Sequence, residues 1–221
     1  KQIKKELEEQ GVNIEICKAD ISKREEVKKL IKFSLNKFGN IDVLINNAGF
    51  GMFGEFVNTD LDRELSMIDT NINAVHILTK LFLKDMVSKN RGYILNVASA
   101  ASFSPGPLMA TYYASKAYVL RLSEAIYEEL RQIKSNIGIS VLCPGPVDTE
   151  FANVASLGAR KVVKDGKSPD KVVAHCLKSI SRRKYISIMA LKWKFKAFMS
   201  RFISKIWFAR YTFKHEKRPS N

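Results

Sequence analysis

The sequence predicts an α/β fold, a parallel sheet covered by helices on both faces. Three observations carry this reading. Short apolar runs alternate with much longer helical patterns along most of the chain, the order that winds a parallel sheet. The segments NNAG, NVASA and CPGPVDT each follow directly on such a run, where an open α/β sheet places its functional loops. Apolar residues make up 46% and charged residues 27% of 221, which suits a folded domain rather than a disordered chain.

The elements follow in order. Asn13 to Lys18 (NIEICK) reads as a strand ending at Asp20. Ser22 then caps a helix carrying Val27, Leu30, Ile31 and Phe38, with Glu25 completing a capping box. Ile41 to Ile45 is a buried strand, and one long helix runs from Leu61 to Val87. Tyr93 to Val97 is the next strand, followed by a helix from Met109 to Lys134. Ile139 to Cys143 is a strand stopped by Pro144, and Pro169 to Ser179 a shorter helix. Tyr185 to Ile188 closes the body.

Charge divides the chain in two. The net charge is +15, yet residues 182–221 hold 12 basic residues against one acid, while the first 181 hold 25 against 21. Residues 1–181 are therefore nearly balanced and the basicity lies toward the C-terminus, where residues 190–221 read as a basic tail after a body of residues 1–189. That distribution, with no recognition motif beside it, argues against nucleic acid as a partner. Cys17, Cys143 and Cys176 lack metal or redox spacing and read as free thiols of a reducing compartment. The opening KQIKKELEEQ is charged, with no apolar stretch behind it, and predicts no secretory leader.

Gly49, Gly51 and Gly54 spell GxGxxG. A dinucleotide cradle would lead straight into a helix. EFVNTDLD reads instead as a loop, so these glycines are expected to permit close backbone approach.

The chemistry lies in NVASAASFSPGPLMATYYASK. Tyr112 and Lys116 stand four apart on one helix face, and Ser99 lies just beyond a strand. A tyrosine of ordinary pKa is a poor acid or base at neutral pH. A nearby ammonium is expected to lower it, making proton exchange at a carbonyl or alcohol oxygen feasible. Ser99 can donate a hydrogen bond to the same oxygen. Tyr113, with no lysine four residues on, is expected to pack; Ser102 and Ser104 read as loop residues and His76 as structural. Asp148 is expected to cap a lid helix running from Phe151 to about Val163, whose apolar content suits a hydrophobic substrate.

In these segments the sequence resembles the short-chain dehydrogenase/reductase family, from about Val12 to Ile188. The resemblance implies a Rossmann-like fold and an oxidoreductase using NAD or NADP to interconvert a carbonyl and a secondary alcohol. It implies catalytic roles for Ser99, Tyr112, Lys116 and Asn71, the asparagine of DTNINAV. It assigns coenzyme contacts to Asp20, Asn47, Ala48, Gly49, Tyr112, Lys116, Pro144, Gly145, Val147 and Thr149. The helices of Leu61–Val87 and Met109–Lys134 would form a homodimer or homotetramer. Relative to the family the chain reads as N-terminally truncated: a TGxxxGxG loop and two strands would precede Lys1. Their loss would leave an unpaired sheet edge and weak dinucleotide binding. The chain then reads as a fragment of an enzyme, as one part completed by a partner, or as a non-catalytic relic or scaffold.

At helical spacing the tail places Leu191, Phe195, Phe198, Met199, Phe202, Ile206, Ala209 and Phe213 on one face. Cations border it on both sides, so a single amphipathic helix at an anionic membrane surface is expected, with docking onto protein as the alternative. The protein would be cytoplasmic, peripheral to the inner face of the membrane.

Overall fold

The computed structural model describes residues 2–155 and 166–216. Four parallel strands, β1 (Val43–Asn46), β2 (Tyr93–Val97), β3 (Gly138–Leu142) and β4 (Ile186–Ser187), lie side by side in sequence order. Helices α1 (Gln2–Glu8) and α2 (Arg24–Phe38) precede them. Helices α3 (Leu61–Ile68) and α4 (Val75–Lys89) cross from β1 to β2, and α5 (Ala110–Gln132) from β2 to β3. Helices α6 (Phe151–Ala155) and α7 (Pro169–Ser181) lie between β3 and β4; α8 (Leu191–Met199) and α9 (Lys205–Glu216) follow.

Side chains alternate across the sheet, as strand geometry requires. Ile94 and Ile139 face Val27 of α2, Leu78, Phe82 and Met86 of α4, and Leu130 of α5. Leu95 and Leu142 face the opposite way, onto Val172 and Cys176 of α7. The expected α/β Rossmann-like architecture, a parallel sheet flanked by helices, is therefore the one observed. β1 is an edge strand whose Val43 and Ile45 are 52% and 54% exposed. An open cleft of about 320 Å³ runs beside it, lined by Ile21, Leu30, Leu44 and Phe82 and ending at Asn47 and Ala48.

A polar ladder crosses the core between β1 and α5. Asn46 Nδ2 donates to Thr79 Oγ1 (3.0 Å) and Asn96 Oδ1 (2.8 Å), and Asn96 Nδ2 donates to Ser123 Oγ (3.0 Å). All four residues are buried, where each group left without a partner costs about 1–3 kcal/mol. Asn96→Ala should therefore lower unfolding stability by about 2–3 kcal/mol in urea titration; a loss under about 0.5 kcal/mol would show that the ladder contributes nothing net.

Most elements lie within two residues of their expected bounds, but β1 is largely exposed at the sheet edge rather than buried, and four further expectations need correction. NIEICK is not a strand, because a β ladder needs a neighbouring backbone and no strand of the described residues lies beside it. The helix after it begins at Arg24 with Lys23 at its N-cap and no side-chain capping bond. Ser22 instead donates its N–H and hydroxyl to Asp20 Oδ1 (3.1 and 2.7 Å), an Asx turn that competes with the capping box. The long helix is interrupted between α3 and α4 by a π-helical turn, Asp69–Ala74.

The fourth correction concerns the tail, which is two helices rather than one. Ser200 and the residues after it break the helix, and Lys205 Nζ donates to Ser200 O (2.8 Å). Phe208 and Thr212, outside the expected apolar face, are the buried residues of α9, while Leu191, Phe195, Phe198, Phe202 and Ile206 are exposed. Phe208 packs under the Lys196 ammonium, 5.0 Å from its ring, a contact between the two helices that accompanies the break.

Candidate active site

The four residues expected to carry chemistry come from three places in the fold. Ser99 follows β2 and caps the 3-10 turn Ala100–Phe103, its Oγ accepting from Ala101 N (3.1 Å). Tyr112 and Lys116 lie one turn apart in the first half of α5, at 8% and 6% exposure. Asn71 sits in the π turn and is fully buried.

The π turn accounts for the asparagine's position. Its wider winding, common at functional sites, accompanies an inward Asn71 bonded on both amide atoms. Oδ1 accepts from Phe50 N (3.2 Å), and Nδ2 donates to Phe50 O (2.9 Å) and Ser115 Oγ (3.0 Å). Asn73 is exposed and donates to Asp69 Oδ1 (2.7 Å), away from this network.

Gly49 brings the β1 loop into the same cluster. A Cβ there would lie 2.8 Å from Asn71 Oδ1 and 3.3 Å from Lys116 Nζ. At Gly51 a Cβ would lie 2.9 Å from the Phe151 ring and 3.4 Å from that of Tyr112. The expectation that these glycines serve close approach agrees with this geometry, and the chain after Gly54 is loop and a 3-10 turn.

Electrostatics departs from the sequence expectation at Tyr112. Burial raises the phenol above its ordinary pKa, and a hydrogen bond with Ser99 opposes this only in part. Lys116 does not pull it down. Burial lowers Lys116 itself to about 8, and its ammonium donates to Val97 O (2.9 Å). Cys143, beside this group, is pushed up to about 12 by burial and is a poor nucleophile there.

An apolar wall surrounds the phenol. Met52, Met67 and Ala101 pack with Tyr112, flanked by Phe50, Met109, Tyr113 and Phe151. The Phe151 ring lies 5.2 Å from that of Tyr112. Tyr113 packs edge-on against Tyr112 (6.1 Å) and over Gly106, as expected of a non-reacting neighbour. At the start of α6, Thr149 Oγ1 accepts from Phe151 N (3.4 Å), and Asp148 N donates to Lys167 O (3.0 Å). The expected lid from residue 156 onward lies outside the described residues.

Most of the residues expected at a coenzyme lie beyond the carboxyl ends of β1 and β3, the two strands that flank β2. Asn47, Ala48 and Gly49 follow β1 and are exposed. Pro144 and Gly145 follow β3, Val147 bridges to Lys167, and Thr149 is exposed. Asp20 is exposed at the end of the extended segment before α2. Such a row of loops, with a glycine cradle against Lys116, fits the nicotinamide end of a dinucleotide.

Two positioning residues escaped the sequence reading. Ser102 Oγ donates to Lys116 O (2.8 Å) and accepts from Ser99 N (3.3 Å), tying the serine turn to α5. Ser115 Oγ accepts from Asn71 Nδ2 and donates to Tyr112 O (2.7 Å). The one available signal was that both are small polar residues beside Ser99 and Lys116 in sequence.

The geometry agrees with comparisons to known proteins. An uncharacterized oxidoreductase of Staphylococcus saprophyticus is 32% identical over 148 residues, which are 67% of this chain and 62% of that relative. A short-chain dehydrogenase from Sphingobium yanoikuyae, solved in complex with NADPH, is 26% identical with a TM-score of 0.76, covering 97% of this chain and 80% of that one. A short chain dehydrogenase/reductase from Burkholderia phymatum, solved in complex with NAD, shares the fold at 22% identity and a TM-score of 0.80, covering 100% and 83%. The short chain dehydrogenase family profile matches residues 1–159, and the chain belongs to that family.

Proposed function

We propose that the chain carries the reacting site of an NAD- or NADP-dependent oxidoreductase that interconverts a ketone and a secondary alcohol on an apolar, lipid-like substrate. The observation that carries this reading is the approach of Asn71 and Lys116 to Gly49, beside Tyr112 hydrogen-bonded to Ser99, at the carboxyl ends of parallel strands. The hydride at carbon would be supplied or taken by NAD or NADP when bound. Tyr112 exchanges the proton at the substrate oxygen, and Ser99 donates a hydrogen bond to that oxygen as charge develops. Asn71 holds the β1 loop to α5 through Phe50 and Ser115. Lys116 and Gly49 would hold the ribose and nicotinamide end, with Asn47, Ala48, Pro144, Gly145, Val147 and Thr149 along the cleft and Asp20 at the far end.

The apolar substrate is supported by the wall of Met52, Met109 and Phe151 around the phenol. Phe151→Ala should change KM for a bulky cyclic ketone about tenfold while moving that for a small ketone far less, since pocket methylenes discriminate by about 10–200-fold. The decisive assay follows NADH and NADPH oxidation over ketones of graded size. Turnover rising with apolar bulk supports the reading; no oxidation of either coenzyme with any ketone identifies a non-catalytic interaction chain instead. Exposed Leu81 and Tyr118 on α4 and α5 support a homodimer or homotetramer through those helices. The cationic tail that follows the body, residues 190–221 of the sequence, meets an anionic membrane surface and holds the protein at the inner face of the membrane.

A further inference from the structure

The tail's bend creates a surface that one straight helix would lack. Between Leu191 and Lys214 there are seven cations and no acid. Ala197, Ser200, Phe208 and Thr212 form its buried seam, and the Lys196 ammonium lies 5.2 Å from the Trp193 ring and 5.0 Å from that of Phe208. On the outside, Leu191, Phe195, Phe198, Phe202, Ile206 and Trp207 are 54–82% exposed. The Phe198 and Phe202 rings touch at 5.1 Å, so the patch is continuous through the break between the helices.

The composition of this patch selects its partner. Exposed Lys192, Lys194, Arg201, Lys205 and Arg210 are interleaved with the apolar side chains. Protein interfaces deplete lysine, and a second copy would bring like charges together. Nucleic acid would leave the aliphatic and phenyl groups in water. At an anionic bilayer the rings enter the headgroup boundary while the long cationic stems reach up to phosphate. The patch also has a fixed relation to the site. The Trp193 ring lies on Gly145, where a Cβ would run into Nε1, and α8 packs on the turn after Ser99.

Building on the membrane reading above, we infer that α8 and α9 form a bent in-plane anchor. It sinks Leu191, Phe195, Phe198, Phe202, Ile206 and Trp207 into an anionic bilayer, while Trp193 stays on Gly145 and holds the Ser99/Tyr112 site beside the lipid. The chain has two tryptophans, one in each position, so single-tryptophan proteins separate them. With vesicles of phosphatidylglycerol and phosphatidylcholine, Trp193→Phe protein should report Trp207 quenched at least twofold by brominated lipid. Trp207→Phe protein should report Trp193 little changed. The pair Phe195→Glu and Phe202→Glu should weaken vesicle partitioning at least tenfold with an unaltered circular dichroism spectrum, because both side chains are exposed in the free protein. Sedimentation with anionic vesicles but no Trp207 quenching would overturn insertion and leave the membrane reading standing. Failure to sediment with anionic vesicles, or concentration-dependent self-association abolished by the same glutamates, would overturn both.

Discussion

Tyr112→Phe should abolish turnover, lowering kcat by about 10²–10⁴-fold, the range that general acid–base catalysis contributes. The substitution deletes one hydroxyl and keeps the ring that packs on Phe151 and Tyr113. The fold and coenzyme affinity should therefore change little, and the loss should fall on kcat rather than on coenzyme binding. Burial holds the phenol protonated at neutral pH, so the wild-type residue is ready as an acid for carbonyl reduction. Alcohol oxidation needs the phenolate and should speed up with rising pH; Tyr112→Phe should remove that dependence. Steady-state kinetics in both directions, beside coenzyme titration by fluorescence, checks this. Activity near wild type in Tyr112→Phe would remove the tyrosine from the reaction.

Lys116→Met should alter how stability depends on pH. Burial lowers the folded-state pKa of Lys116 from 10.5 to about 8, with Cys143 weakly opposing. Below pH 8 the lysine is protonated in folded and unfolded chains alike, and the folded state bears the cost of the buried charge. Between about 8 and 10.5 the unfolded chain binds more protons, so stability rises with pH across that window. The gap corresponds to about 3 kcal/mol. Unfolding in urea at pH 7.5 and at pH 10 should show the wild type gaining on Lys116→Met by a value of that order. Equal pH dependence in the two proteins would mean that the ammonium is already well solvated through Val97 O or water.

Ser99, Tyr112 and Lys116 were legible because their relation is local. A strand end and one helical turn place them, and both features lie in a short stretch of sequence. Asn71 was legible through its motif, but the π turn that presents it was not. That turn is held by Phe50 and Ser115, 21 and 44 residues away, beyond the reach of periodicity. Ser102 was read as a loop residue because its bond to Lys116 O crosses from one element to another. The rise in the Tyr112 pKa was illegible for a related reason: spacing shows that a lysine is near, and only packing shows that burial dominates and that Val97 O engages the ammonium.

By itself, then, the sequence determined the alternation of strands and helices, the positions of the loops after the strands and the identity of the candidate side chains. These follow from periodicity, turn residues and spacing, which act over a few neighbouring residues. Tertiary structure decided whether NIEICK could be a strand, which amide atoms hold Asn71 and how the tail folds. Each depends on a partner distant in sequence. NIEICK has a strand pattern, but hydrogen bonds of a sheet belong to pairs of strands. The tail has a helical pattern, but Phe208 and Lys196 meet only because the chain turns between α8 and α9.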